Sequence, residues 1–88
     1  MKIIGQYVLQ ELGNDYVLMP TGNDPRNYKG MCSFNETGAF IWRLLEKEKS
    51  EQALLDAVTS VYNIDRAGAE RDVGLFLDRL EAINIIKR

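Results

Sequence analysis

The residues in this chain that could carry covalent or acid–base chemistry are few. Among 88 residues there is no His and a single Cys, Cys32. Without an imidazole, a Cys32 nucleophile lacks the usual base that would take its proton. A tetrahedral zinc site lacks its nitrogen and sulfur ligands, and an intramolecular disulfide has no second thiol. The 13 carboxylates stand against 11 bases. They are largely interleaved with them, as in Glu46-Lys47-Glu48-Lys49 and Glu70-Arg71-Asp72, which is the pattern of solvated helix faces rather than of a catalytic carboxylate pair. No Gly-rich phosphate loop opens a helix, and Gly38 and Gly74 stand singly inside helical patterns. The expectation is a protein that is not an enzyme, takes no cofactor and holds no metal. Cys32 is expected to serve as a small packing residue or a groove-lining thiol.

If the chain does no chemistry of its own, its surfaces must carry the function, and those depend on how the elements are laid out. A chain of 88 residues is one domain, residues 1–88, with a core that buries roughly 60% of the unfolded surface. Tyr7-Val8-Leu9 and Tyr16-Val17-Leu18-Met19 read as two strands joined by a tight turn at Gly13-Asn14-Asp15, since Gly and Asn reach positive φ cheaply. Pro20 stops the second strand, and a polar loop from Thr21 to Asn27 follows. Met31 to Phe34, introduced by Gly30, is a third strand, antiparallel to the second. The period then becomes helical. Asn35 caps a helix from Glu36 to Lys47, and Ser50 caps one ending near Tyr62, with Leu54, Leu55, Val58, Val61 and Tyr62 on its apolar side. Asp65 caps the longest helix, in which Ala69, Val73, Phe76, Leu77, Leu80 and Ile83 follow the 3.6-residue period. Ile85-Ile86 is an apolar tail, able to return to the sheet as a strand. The fold class is α+β: a three-stranded antiparallel N-terminal sheet followed by a three-helix bundle. The short Ile3-Ile4 stretch makes neither a signal peptide nor a membrane anchor, so a cytoplasmic protein is expected.

Two surface features stand out. With successive helical residues turning by about 100°, Leu75 points away from the stripe centred on Ala69, Val73 and Leu80. Gly68 and Ala82 share its side, flanked by Arg71, Asp72, Asp78 and Arg79, so a leucine between small residues is framed by charge. The second feature is the Met31 to Phe34 strand, which a sequential meander leaves at one edge of the sheet. That segment has no charge and no proline, the devices that normally blunt an edge. An unprotected edge beside an apolar helix face is what strand addition by a foreign peptide requires. Coverage by the Ile85-Ile86 tail, or by a second subunit, is the structural alternative.

The run Met31-Cys32-Ser33-Phe34-Asn35-Glu36-Thr37-Gly38-Ala39-Phe40-Ile41-Trp42-Arg43-Leu44-Leu45 resembles the strand-to-helix junction of PqqD-like proteins, with its Asn-Glu-x-Gly-x-x-Ile-Trp-x-Leu-Leu pattern. Tyr62-Asn63-Ile64-Asp65, Ala69-Glu70-Arg71-Asp72-Val73 and Phe76-Leu77 resemble the passage between the second and third helices of the same family, so the likeness spans nearly the whole chain. It implies a small winged-helix-like domain, a RiPP recognition element, which binds the leader of a ribosomally made precursor peptide and presents it to a modifying enzyme, often a radical S-adenosylmethionine enzyme. The founding member acts in pyrroloquinoline quinone (PQQ) biosynthesis. Carried onto this sequence, the resemblance implicates Met31, Cys32, Ser33 and Phe34 on the strand and Gly68, Arg71, Asp72, Leu75, Arg79 and Ala82 on the helix. Trp42, within the motif, is expected to pack in the core.

The leading expectation is therefore a non-catalytic peptide chaperone whose partners are a precursor peptide and a peptide-modifying enzyme. The alternative from another class is a winged helix-turn-helix DNA binder. Its recognition helix would need a basic surround, whereas Asp65, Glu70, Asp72, Asp78 and Glu81 offset Arg66, Arg71 and Arg79. With a net charge of −2, neither nucleic acid nor membrane is an expected partner. A homodimer that pairs its own edge strands is the remaining alternative.

Overall fold

A computed structural model describes residues 1–47 and 50–88; Glu48 and Lys49, part of the interleaved charge run, lie outside the described residues. The element order is β1 (Lys2–Ile3), β2 (Tyr7–Leu12), β3 (Asp15–Pro20), β4 (Cys32–Phe34), α1 (Glu36–Leu45), α2 (Glu51–Val61), α3 (Arg66–Ala82) and β5 (Ile86–Lys87). It is the α+β arrangement expected, a three-stranded antiparallel sheet ordered β2-β3-β4 followed by helices. No helix among the described residues is long and apolar enough to cross a membrane.

The β2–β3 hairpin closes on Leu12 opposite Asp15. Gly13 takes φ 64° at the first central position and Asn14 keeps a negative φ, the pattern of a II′ turn, whose twist matches that of the strands. Each helix starts at the cap expected of it. Asn35 Oδ1 accepts from the Gly38 N–H at 2.8 Å, Ser50 Oγ from Ala53 at 3.1 Å, and Asp65 Oδ1 from Gly68 at 2.6 Å. Such a cap typically contributes about 1 kcal/mol.

The core lies between the inner face of the sheet and the helices. Leu18, Cys32 and Phe34 from the strands meet Ile41, Trp42 and Leu45 of α1, Leu54 and Val58 of α2, and Ala69, Val73, Leu77 and Leu80 of α3. Trp42 is buried, packing against Tyr7 edge to face and against Phe34, both at 6.0 Å between ring centroids. A tryptophan buried in this way anchors the first helix to the sheet, as expected.

Two boundaries and one burial differ from the sequence expectation. The third strand begins at Cys32 rather than Met31, and the first helix ends at Leu45 rather than Lys47. Val61, placed on the core side of the second helix, is 61% exposed. The chain turns extended at Tyr62, and it is the Tyr62 ring that packs on Phe40 at 5.5 Å.

The two-residue strand β1 has no counterpart in the sequence reading. It pairs antiparallel with β5, Lys2 opposite Lys87 and Ile3 opposite Ile86. The turn that makes this possible is a Schellman-type stop at the end of α3. Ile85 N–H donates to Leu80 O at 2.9 Å and Asn84 N–H to Glu81 O at 3.0 Å, with Asn84 left-handed at φ 61°. The apolar tail thus does become a strand, but in a separate two-stranded sheet.

Candidate functional site

Because β5 pairs with β1, the C-terminal tail leaves β4 uncovered: β4 is an outer strand of its sheet, and β3 is its pairing partner among the described residues. The hydrogen-bond alternation shows which backbone groups it offers. The tight turn closes on the bonded pair Leu12–Asp15, and at the far end of the hairpin Thr21 N–H donates to Gln6 O at 2.9 Å. Odd-numbered residues of β3 therefore bond to β2, and the even-numbered Tyr16, Leu18 and Pro20 face β4. In register, Phe34 sits opposite Tyr16 and Cys32 opposite Leu18, so those two residues are used up in the ladder. Ser33, opposite Val17, turns both its N–H and its C=O outward. A side-chain contact reports the same orientation: Arg79 Nη2 donates to Ser33 O from 3.4 Å.

Pro20 also finds its reason here. It faces the β4 side two residues beyond the last β3–β4 pair, Leu18 and Cys32, where the ladder has already ended. Having no N–H, it leaves no orphan donor there.

Alternation also divides the side chains. Cys32 and Phe34 point inward and are buried, while Ser33 points to the outer face and is exposed. On the inner side, α3 comes against the strand. The Phe76 ring meets Phe34 at 5.0 Å and 62°, and Arg79 Nη2 lies 3.8 Å from Cys32 Sγ. Burial pushes the Cys32 thiol above its ordinary pKa, with the Arg79 charge pulling it partly back. A neutral, buried thiol is a packing group and a poor nucleophile.

The close approach of α1 to this place depends on Gly38. A Cβ there would stand 3.0 Å from Phe34 Cβ and 3.1 Å from Phe76 Cε1. Between the first turn of α1 and α3 lies a depression of about 220 Å³ lined by Asn35, Thr37, Gly38, Ile41, Asp72 and Phe76. Its rim includes Asn35, the residue that follows β4.

Of the helix residues singled out from sequence, Arg79 touches the strand and Asp72 lines the depression. Leu75 is 63% exposed, as its wheel position requires. Arg71 is exposed with Nε 3.6 Å from Asp72 Oδ1. Gly68 sits at the start of α3, where its N–H satisfies the Asp65 cap and an added Cβ would fall 2.9 Å from Asp65 Oδ1. Ala82 is the exposed last residue of α3. Met31 precedes the strand and is 84% exposed. Sequence reasoning missed Thr37, assigned Phe76 wholly to the core although it is only half-buried, and gave Gly38 no role. A glycine in the first turn of a capped helix was the available signal, since it forgoes helix propensity for close contact.

The arrangement is a small α+β domain with an open strand edge flanked by one helix. Residues 15–86 match the family model described as coenzyme PQQ synthesis protein D, and the chain belongs to the PqqD family. A solved structure, TbiB1 in complex with the TbiA(beta) leader peptide, is similar to it at 28% sequence identity and a TM-score of 0.77, over 99% of this chain and 95% of that one. No curated protein matches the chain.

Proposed function

We propose that this domain is a non-catalytic peptide-binding module. It captures the leader segment of a ribosomally synthesised precursor by strand addition to β4 and presents the rest of the precursor to a separate modifying enzyme, for which a radical S-adenosylmethionine enzyme is the leading candidate. The observation that carries this reading is the outward-facing Ser33 N–H and C=O on an outer strand that the C-terminal tail leaves open. The similarity to TbiB1, solved with a leader peptide, supports it.

In this reading the main-chain bonds at Ser33 hold the leader in register, and side chains decide which leader is held. Leader residues opposite Cys32 and Phe34 face α3, where Leu75 and Phe76 offer apolar contact. Arg79 and Arg71 favour acidic leader residues, and Asp72 favours a basic one. Gly68 and Ala82 mark the two ends of the same helix face, keeping it low. Ordering a flexible leader costs free energy, so a few apolar anchors must supply the surplus.

A DNA-reading role for α3 gains nothing from its charges. Arg66 is engaged by Asp56 at 2.8 Å and Glu70 at 3.7 Å, and Arg71 lies beside Asp72.

Short reading frames beside the gene supply candidate leaders. Each is synthesised and titrated into 15N-labelled protein. Saturable shifts centred on Met31 to Asn35 and the Asp72–Arg79 face support the proposal. Shifts confined to other surfaces, or none with any candidate, contradict it.

A further inference from the structure

The alternation that turns Ser33 outward on β4 turns more of the backbone outward on the opposite edge. Strand β2 is the other outer strand of the same sheet and pairs only with β3 among the described residues. Its even-numbered residues bond to β3, as the closing pair Leu12–Asp15 and the bond from Thr21 N–H to Gln6 O require. Tyr7, Leu9 and Glu11 therefore turn both N–H and C=O away from the sheet. None of the backbone bonds made by the described loops, turns and caps reaches these three residues. The strand Tyr7–Leu12 holds no proline and no lysine, and its one charge is Glu11, so it lacks most of the devices that blunt an edge.

We propose that β2 is a homodimer interface, pairing antiparallel with β2 of a second copy about a two-fold axis at Leu9. Antiparallel strands exchange bonds only between residues whose groups face each other, so Tyr7, Leu9 and Glu11 pair among themselves. An axis at Leu9 sets Leu9 against Leu9 and Tyr7 against Glu11 on either side, giving three bonded pairs of two hydrogen bonds each. An axis at Val8 or Gln10 keeps only two such pairs within the strand. An axis at Glu11 sets two carboxylates face to face, which is destabilising. In the Leu9 register the two Glu11 residues stand about 13 Å apart along the strands. Leu9, half-buried against the core, meets its own copy at the axis. On the outer face Val8, 46% exposed and already flanked by Met19, comes beside Gln10 of the second copy.

A second copy is favoured over another occupant because this contact is its own complement and closes at a dimer. Pairing β2 onto β4 of the next molecule is head-to-tail, leaves a fresh edge at each end and propagates into a filament. Strand β4 competes poorly for that pairing, since it offers Ser33 where β2 offers three residues. The dimer carries one sheet ordered β4-β3-β2-β2-β3-β4, with β4 open at both ends. This interface goes beyond the peptide-binding reading and does not depend on it.

Sedimentation velocity of the full chain over a micromolar concentration series tests the proposal, and a reversible monomer–dimer equilibrium is expected. Glu11→Pro, at an exposed position, deletes an outward donor without touching the ladder to β3. Symmetry deletes that bond twice, so dimerisation weakens at least about tenfold while the far-UV circular dichroism is unchanged. Should that variant misfold, cross-linking decides. Val8 and Gln10 of the second copy form a non-hydrogen-bonded pair, the kind whose Cβ atoms come close enough for a disulfide. Oxidising a mixture of Val8→Cys and Gln10→Cys chains is expected to link one variant to the other in preference to either with itself. A chain that stays monomeric throughout, a dimer indifferent to a folded Glu11→Pro, or cross-linking no better in the mixture than in each variant alone overturns the interface.

Discussion

Arg79 Nη2 stands 3.8 Å from the sulfur of Cys32 and 3.4 Å from the carbonyl oxygen of Ser33. One guanidinium thus joins the last turn of α3 to the edge strand, touching both its buried inner face and its outward backbone. That oxygen is the acceptor an added strand needs. A carbonyl has two lone pairs, so Arg79 can share it with an incoming N–H or swing to an acidic leader residue. Arg79→Ala is expected to retain the fold and to lose affinity for leaders with an acidic residue near the edge, while leaders without one bind as before. Calorimetry with a peptide pair differing by Glu→Gln measures the difference.

Ser33→Pro removes the one outward donor of β4 without touching a ladder bond, because the Cys32 and Phe34 amides carry the pairing to β3. The variant is expected to stay folded by circular dichroism and to bind leader at least about tenfold more weakly. Cys32→Pro, which removes a ladder donor from a buried residue, is expected to destabilise the domain by about 3 kcal/mol or more. Equal stability of the two variants in urea titrations would contradict the assigned orientation.

Two glycines that look alike in sequence should respond oppositely to alanine. At Gly38 a Cβ meets Phe34 at 3.0 Å and Phe76 at 3.1 Å, whereas at Gly74 it meets nothing within 4 Å. Gly74→Ala therefore gains helix propensity, about 0.5–1 kcal/mol. Gly38→Ala forces the aromatic pair apart and loses about 1–3 kcal/mol, disturbing the wall of the groove as well. Urea midpoints of the two variants test this, and a stabilised Gly38→Ala would contradict the packing described.

Much of this fold was legible in the sequence because its signals are local. The caps Asn35, Ser50 and Asp65, the Gly13-Asn14 turn and the 3.6-residue stripe of α3 each act within a few residues. The exposure of Leu75 followed from the same stripe. What escaped is non-local. A strand of two residues such as Lys2–Ile3 has no alternation to read, and it exists only because Ile86–Lys87 returns beside it. Asn27 looked like an ordinary loop residue. It is nearly buried, accepting from Gln6 N–H at 2.7 Å and donating to Thr21 O at 2.9 Å, and so ties the long loop to the start of β2. Of the candidate site, the strand and the exposed helix face were legible as structural elements. Its inner wall was not, because Phe76 follows the core period and only its contact with Phe34 and Gly38 shows that it borders the groove.

Leu75→Asp puts a charge on the exposed face of α3, far from the packed stripe. Stability should change by no more than about 0.5 kcal/mol, and leader affinity should fall about tenfold if this face receives an apolar anchor. Unchanged affinity would remove Leu75 from the site.

Amide hydrogen exchange at Ser33 tests the central claim most directly. In the free protein the Ser33 N–H faces solvent and should exchange far faster than those of Cys32 and Phe34, which bond to β3; saturating leader should bring it to the slow rate of its neighbours. A Ser33 amide already slow in the free protein, or one still fast with leader bound, would contradict strand addition at β4.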